Sequence, residues 1–289
     1  MIKVVFKVLS HLNRINQLVW RLKQPLTKKP SDPCSVVSDL FVWRKAQGFR
    51  TFFDLTDIAS LFDQSTGPNL ARVMIFDKSG GLVTVGHYEA PCYSRLQIDI
   101  SELAAPCKDN VGTFCVLHPK TPRVISELGS YLAERGYVSY CYGESSLKSY
   151  VHGNLDAVSL TPTGAIELLA GTSFLKRKYR LQYELRKNEY YDLAVVNAST
   201  MEQLVRCNLY NTIAEVKTTE DAAITTKLRP ESLCRQLETI LKPGACHIFK
   251  VDSTMAKGPS LRAVIESHLV MLRPTVFHIS KERIHVFHG

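Results

Sequence analysis

Short apolar runs separated by turn signals fill the chain from residue 36 to its end, and they constrain the fold more than any other feature. The runs are rich in β-branched and aromatic residues and recur about every ten residues, a pattern typical of a β-sandwich or barrel. Strands are predicted at 40–44, 49–55, 71–76, 82–88, 95–100, 113–118, 138–142, 147–152, 165–169, 180–186, 191–197, 206–210, 246–251, 261–266, 275–278 and 284–287.

Turns and two helices are predicted between these strands. Residues 77–81 (DKSGG) should form a hairpin turn, because glycine tolerates the positive φ that such turns need. Apolar residues spaced for one helical face predict a helix over 124–134, ended by Gly136. Leucines at every fourth position predict a second helix over 230–241.

The two halves of the chain resemble each other at several points. Phe-Asp-Leu at 53–55 matches Tyr-Asp-Leu at 191–193, and Val-His-Gly at 151–153 matches Phe-His-Gly at 287–289. The offsets, 192 − 54 = 138 and 288 − 152 = 136, agree to two residues. Weaker matches join 73–76 to 207–210, 96–100 to 247–251, and His118 to His268. An internal duplication is one interpretation, and chance similarity between alternating patterns is the other.

These observations predict a mainly β protein with two tandem β-sandwich-like domains. The first domain would span residues 36–160, with the helix inserted, and the second would span 161–289. Residues 25–35, with three prolines, predict a linker. Residues 1–24 precede it, and apolar positions in steps of three and four predict an amphipathic basic helix over 2–24. That helix could dock on the protein's own core, pair with a partner helix, lie on an anionic membrane surface, or be a targeting peptide.

The positive charge is concentrated at the start of the chain. The net charge is +9, and residues 1–31 contain seven lysines and arginines with no acidic residue, so the remainder carries 9 − 7 = +2. This distribution disfavours nucleic acid as the partner. The eight cysteines show no C-x-x-C pair, and no apolar run approaches the ~20 residues of a membrane span. We therefore expect reduced thiols and a cytoplasmic location, with peripheral membrane association through residues 2–24 as an extension of it.

A tyrosine-rich stretch is the leading candidate for a binding surface. Aromatic rings beside fixed polar groups suit a sugar, and they equally suit a protein partner. The candidate residues are Arg135, Tyr137, Tyr140, Tyr142, Tyr150, His152 and Asn154. A basic run forms a second candidate surface, interpreted either as a solvated loop or as a contact for phosphate or acidic glycan. Its residues are Lys176, Arg177, Lys178 and Arg180.

Histidines supply the only candidate chemistry for an enzyme. A metal site would need ligands converging from neighbouring strands, for which the candidates are His118, His152, His268 and His288. They would support a His-based hydrolase, with or without a metal, that acts on a polar substrate, as the alternative to a binding protein. The sequence has no H-E-x-x-H, G-x-S-x-G, G-x-G-x-x-G or Walker A motif. We therefore expect structural histidines, no cofactor, and a non-enzymatic protein that binds a glycan or protein ligand.

Overall fold

The structure is a computed structural model of the 289-residue chain. It describes residues 28–45, 48–57, 69–90, 94–118, 123–134, 136–153, 155–212, 214–217, 225–228, 232–270, 273–280 and 283–289. The predicted helix over residues 2–24 lies outside these ranges. The described end of the predicted linker lies along the body of the protein, where the backbone N–H of Lys28 donates to the carbonyl oxygen of Leu169 at 2.8 Å.

The first half of the described chain contains twelve strands and two short helices. In chain order they are β1 (Val37–Ser38), β2 (Phe41–Arg44), β3 (Arg50–Thr56), β4 (Asn69–Phe76), β5 (Leu82–Ala90), β6 (Arg95–Asp99), α1 (Ile100–Leu103), β7 (Val111–Leu117), α2 (Arg123–Glu127), β8 (Ala133–Glu134), β9 (Tyr137–Cys141), β10 (Ser149–His152), β11 (Val158–Leu160) and β12 (Ile166–Leu168).

The second half contains eleven strands and one turn of 3-10 helix at Ser253–Met255. The strands are β13 (Thr172–Arg180), β14 (Leu185–Arg186), β15 (Tyr190–Val196), β16 (Gln203–Thr212), β17 (Ala214–Lys217), β18 (Thr225–Leu228), β19 (Ser232–Leu241), β20 (Cys246–Asp252), β21 (Ser260–Leu269), β22 (Thr275–Ser280) and β23 (Arg283–His288).

Strands dominate the fold, and the sheets stand in a five-bladed, propeller-like ring. Of the described residues, 59% are in strands and 5% are helical, which confirms the mainly β prediction. The blades are numbered in the order in which their first strands occur in the chain. Blade 1 has the strand order β12-β11-β1-β8, blade 2 has β2-β7-β4-β5, and blade 3 has β10-β9-β3-β6. Blade 4 has β13-β21-β16-β19, with β14 beside β21, and blade 5 has β20-β15-β22-β23. Strands β17 and β18 form a separate hairpin. All pairs are antiparallel except β1 with β8.

The arrangement of the sheets corrects the prediction of two tandem sandwiches. One apolar cluster joins blades 2 and 3, where Trp43, Phe53 and Phe114 are fully buried, and a second cluster joins blades 4 and 5. The first cluster also takes in Phe277 and Val286 from blade 5. The core therefore continues from one half of the chain into the other, so the sheets share a ring instead of closing into two separate sandwiches.

Strand order nevertheless repeats between the halves. When the short β8 is set aside, blades 2 and 3 use the eight strands from β2 to β10 in the orders 1-6-3-4 and 8-7-2-5. When β14 and the β17–β18 hairpin are set aside, blades 4 and 5 use the eight strands from β13 to β23 in the same two orders. The four pairs of segments matched in the sequence at 53–55, 73–76, 96–100 and 151–153 fall on equivalent strands.

The two helices predicted between the strands, over 124–134 and 230–241, are both corrected. The helix expected over 124–134 ends at Glu127 because Gly129, with a φ of +67°, redirects the chain, and β8 follows. The helix expected over 230–241 is instead β19, which pairs with β16 along its whole length. A spacing of four residues keeps leucines on one side of a strand as well as on one face of a helix, so the pattern alone did not separate the two.

The hairpin predicted at 77–81 is confirmed, and it also contacts the second half of the chain. The backbone N–H of Asp77 donates to the Gly81 carbonyl oxygen at 2.8 Å, and Gly80 has a φ of +89°. A Cβ atom on Gly80 would lie 2.4 Å from the carbonyl oxygen of Pro243. Glycine is thus required there by both the turn and the close approach of the two halves.

Candidate ligand-binding cleft

The closing strands of the two halves meet at one junction, where β10 lies beside β23. The Val286 backbone N–H donates to Oγ of Ser149 at 2.7 Å. At the end of both strands, Nε2 of His288 donates to the carbonyl oxygen of His152 at 2.5 Å, and the two imidazole rings lie 5.2 Å apart, edge to face. The two histidines that the sequence singled out by their repeated His-Gly ending therefore lie side by side.

An open cleft of about 350 Å³ lies over this junction. Its polar and aromatic lining comes from both halves of the chain. The lining residues are Tyr137, Tyr150, Val151, His152, Gln182, Tyr183, Arg273, Val286, Phe287, His288 and Gly289.

One wall of the cleft is the outer face of β9 and β10. Tyr137 and His152 are cross-strand partners, and Tyr150 lies two residues before His152, so the three side chains share a face. Tyr137 is 56% exposed and Tyr150 is 46% exposed, whereas their neighbours on the opposite face, Val138 and Val151, are buried in the core. The alternation of apolar and polar residues along these strands is what presents the tyrosine rings to the cleft.

The opposite wall is built around the end of β23. The Tyr183 ring packs edge to face on Phe287, with centroids 4.5 Å apart. Gly289 is fixed at both of its backbone groups: its N–H donates to the Pro274 carbonyl oxygen at 3.0 Å, and its carbonyl oxygen accepts from the Tyr179 hydroxyl. These contacts fix the Phe-His-Gly segment at the end of β23.

The electrostatics of the cleft combine one permanent cation with an imidazole of weakened basicity. Burial lowers the pKa of His288 from its usual 6.5, and the neighbouring His152 and Arg273 lower it further, against the hydrogen bond to the His152 carbonyl, which raises it. The lowered pKa favours the neutral imidazole of His288. The exposed guanidinium of Arg273 supplies the positive charge of the cleft.

Three of the predicted ligand-binding residues, Tyr137, Tyr150 and His152, line the cleft. Tyr140 belongs to the core and Tyr142 is half-buried against it, which corrects the prediction for these two residues. Tyr140 is 1% exposed and donates its hydroxyl to the Val42 carbonyl oxygen at 2.7 Å, and Tyr142 packs its ring on Phe49 at 4.8 Å between centroids. Arg135 and Asn154 lie outside the described residues.

The histidines proposed as metal ligands are not gathered into one site. His118 is buried against Glu134, with 2.5 Å between Nε2 and Oε2, and Nδ1 of His268 lies 3.0 Å from the Ser173 carbonyl oxygen. Only His152 and His288 are adjacent among these candidates, and Nδ1 of His152 donates to its neighbour's carbonyl at Gly153. Within the described ranges, no group of three His, Cys, Asp or Glu residues could hold a metal ion.

The basic run is a strand, which corrects its interpretation as a loop. Lys176, Arg177, Lys178 and Arg180 belong to β13, an outer strand of blade 4. Nζ of Lys178 lies 3.1 Å from Oε1 of Glu266, which pairs with it across the ladder.

Sequence reasoning missed Gln182, Tyr183 and Arg273, which complete the cleft. Nothing in their local pattern marks them, because Arg273 lies between strands and Tyr183 follows the basic strand. The repeated His-Gly ending was the one signal that pointed from the first half to the correct part of the second.

Two comparisons with known proteins gave no match for this chain. The chain matches no protein-family profile, and no curated protein has a significantly similar sequence. In the part of the chain that the structure describes, no helix is both long and apolar enough to cross a membrane.

Proposed function

We propose that this chain is a non-enzymatic binding protein whose junction cleft holds a sugar ring that carries an acidic group. The observation that carries the proposal is the cleft lining, which combines three tyrosines, Tyr137, Tyr150 and Tyr183, with one guanidinium, that of Arg273. Tyrosine rings can stack on the C–H face of a sugar while their hydroxyls, the histidines and Gln182 bond to its hydroxyl groups. A guanidinium adds a paired, charge-assisted contact for a carboxylate. A protein ligand with an acidic side chain is the second occupant that the same lining would fit.

The test is isothermal titration of the full chain with sialyllactose and with lactose, its neutral counterpart. We expect the acidic sugar to bind more tightly, and we expect Arg273→Gln to reduce the difference between the two sugars. Tyr137→Ala and Tyr150→Ala should each weaken binding of both. Tyr190→Ala is the matched control, because Tyr190 is 56% exposed, as Tyr137 is, and does not line the cleft. Failure of both sugars to bind, or binding unaffected by the two cleft variants, would overturn the proposal.

We further propose that the two halves are copies of one eight-stranded unit, in domains close to the 36–160 and 161–289 division of the sequence. The repeated strand orders support this, and so does the register around two buried aspartates. Asp54 lies between Gln97 and Tyr137, and Asp192 lies between Lys250 and Phe277 at the same place in its blade.

The strand pairing also tests whether the two strongest sequence matches, at the aspartates and at the His-Gly endings, agree with each other. Tyr137 pairs with His152, whereas Phe277 pairs with Val286, so an alignment on the aspartates puts His152 opposite Val286 and not opposite His288. The His-Gly match is therefore two residues out of register. Superposition of an experimental structure's halves tests the proposal: a different direction or order for any of the eight strands would overturn it.

A further inference from the structure

A three-residue excess in β13 pushes two apolar side chains out of the edge of blade 4. Between the pairs Thr172 with Leu269 and Arg177 with Ser267, β13 advances 177 − 172 = 5 residues while β21 advances 269 − 267 = 2. The bulge holds Phe174, which is 95% exposed, and Leu175, which is 72% exposed. Bulges and lysines commonly protect sheet edges from pairing, but that role does not call for an exposed phenylalanine beside an exposed leucine.

A lysine follows the bulge, and two further apolar side chains lie toward the same end of blade 4, on β16 and on the opposite edge strand β19. Lys176 follows Leu175 directly, is exposed, and has no ion-pair partner among the residues that the structure describes. The Ser267 hydroxyl donates to the carbonyl oxygen of Leu204 at 3.0 Å, so Leu204 lies at the same end of the blade as the bulge. Leu204 and its cross-strand partner Ile240 are 38% and 63% exposed.

We propose that this bulge, residues 173–176, is a peripheral attachment point for an anionic lipid bilayer. Phenylalanine and leucine are the side chains that enter the boundary between headgroups and acyl chains, and lysines beside them are attracted to anionic headgroups. Charge complementarity selects this occupant: Lys176 directly follows the two apolar side chains and is exposed, and Lys178, which pairs with Glu266, and Arg180 are exposed on the same strand. The attachment point is independent of the junction cleft and of the amphipathic pattern in residues 2–24.

The test is co-sedimentation of the full chain with vesicles of phosphatidylcholine alone and with vesicles containing phosphatidylserine. We expect binding to the anionic vesicles that weakens as salt rises. Phe174→Ser with Leu175→Ser should lower the apparent affinity about tenfold or more, since two apolar side chains lose their place in the lipid. The matched control is Leu82→Ser with Leu147→Ser, which removes side chains that are 55% and 65% exposed elsewhere.

Lysine variants separate the contribution of charge. Lys176→Gln with Lys178→Gln should weaken binding to anionic vesicles more than Lys187→Gln with Lys257→Gln, which removes the same charge from exposed positions outside the bulge. A site-specific readout comes from Phe174→Trp, whose fluorescence should shift to the blue on anionic vesicles and be quenched by brominated acyl chains, in contrast to Leu82→Trp.

The outcomes decide the proposal in either direction. Loss of binding confined to the bulge variants, with quenching at position 174, supports it. Binding that the bulge variants leave unchanged would assign attachment to another part of the chain and overturn it, as would no binding to either kind of vesicle. Because the altered side chains are exposed, circular dichroism should show that all variants fold as the parent does.

Discussion

Nη2 of Arg44 lies 2.7 Å from Oδ2 of Asp192, and this ion pair joins blade 2 to blade 5. Both side chains are buried, with 7% and 9% of their surface exposed. The guanidinium also lies over two aromatic rings, 3.6 Å from the centroid of Phe49 and 4.7 Å from that of Phe277. Burial lowers the pKa of Arg44, against the opposing effect of Asp192, so the carboxylate offsets part of the cost of a buried cation.

Removal of one partner from this pair should destabilise the protein strongly. Asp192→Asn leaves the Arg44 cation buried without its counter-charge, and we expect it to lower the free energy of unfolding by about 3–5 kcal/mol. The double variant Arg44→Leu with Asp192→Leu should cost less than the sum of the single changes, because neither charge is then stranded. Urea unfolding of the parent, Arg44→Leu, Asp192→Leu and the double variant measures the coupling, and additive effects of the two leucine substitutions would contradict it.

A surface ion pair serves as the control for that experiment. Arg50 lies 2.7 Å from Asp99, but its side chain is 61% exposed. Water screens such a pair, so Arg50→Gln should change the free energy of unfolding by no more than about 1 kcal/mol. A loss as large as that of Asp192→Asn would show that burial is not the cause of the difference.

Two glycines with similar backbone angles should differ sharply in their tolerance of alanine. Gly80→Ala places Cβ 2.4 Å from the Pro243 carbonyl oxygen, whereas no atom lies within 4 Å of a Cβ on Gly164. Gly164 has a φ of +80°, so Gly164→Ala should lower the free energy of unfolding only by the cost of alanine at a positive φ, about 1 kcal/mol. Gly80→Ala should lower the free energy of unfolding further, because the two halves of the chain must also move apart. Thermal unfolding of both variants checks the order, which equal losses would contradict.

Tyrosine hydroxyls in the core and in the cleft should respond differently to removal. Tyr140→Phe deletes a buried hydrogen bond to the Val42 carbonyl and should cost about 1 kcal/mol or more, because that oxygen is left without its donor. Tyr137→Phe removes a hydroxyl from an exposed ring and should leave stability unchanged. Urea unfolding compares the two, and equal stability of both variants with the parent would contradict the buried role of Tyr140.

Much of the fold could be predicted from sequence because a strand alternates its faces at every residue. Val138 and Val151 against Tyr137 and Tyr150 illustrate this: apolar positions went inward and polar ones toward the cleft. The rule failed for β19, because the four-residue spacing of its leucines fits a helix as well as a strand. It failed also for β13, a charged strand that contributes few side chains to the core.

The arrangement of the blades and the far wall of the cleft could not be predicted in the same way. Strand orders such as β2-β7-β4-β5 depend on contacts between residues far apart in the chain, which local patterns do not encode. Arg273 reaches the cleft because β23 lies beside β10, and its own neighbours in sequence carry no trace of that contact. The repeated His-Gly ending succeeded because it marked two equivalent strands, β10 and β23, that the fold brings together.

Stability should fall as the solution becomes mildly acidic. Burial lowers the pKa of His247, His278 and His288 below the 6.5 of an unfolded chain. Between the folded-state pKa of each histidine and pH 6.5, the unfolded chain binds more protons than the folded one, so the free energy of unfolding rises with pH. The contribution is complete above pH 6.5 and is lost as pH drops through that value toward the folded-state pKa.

His288→Gln isolates the cleft's share of this pH dependence. Glutamine cannot titrate, yet its amide can still donate to the His152 carbonyl oxygen that His288 contacts. Urea unfolding at pH 7.5, 6.5 and 5.5 should give a steadily decreasing free energy for the parent and a shallower decrease for His288→Gln. An unchanged slope in the variant would mean that His288 is equally basic in both states, and a parent more stable at pH 5.5 than at 7.5 would contradict the sign of the effect. The His288 ring lies against the His152 ring, and Arg273 lowers the pKa of His288, so protonation of His288 adds a positive charge near an existing cation at the junction of the two halves.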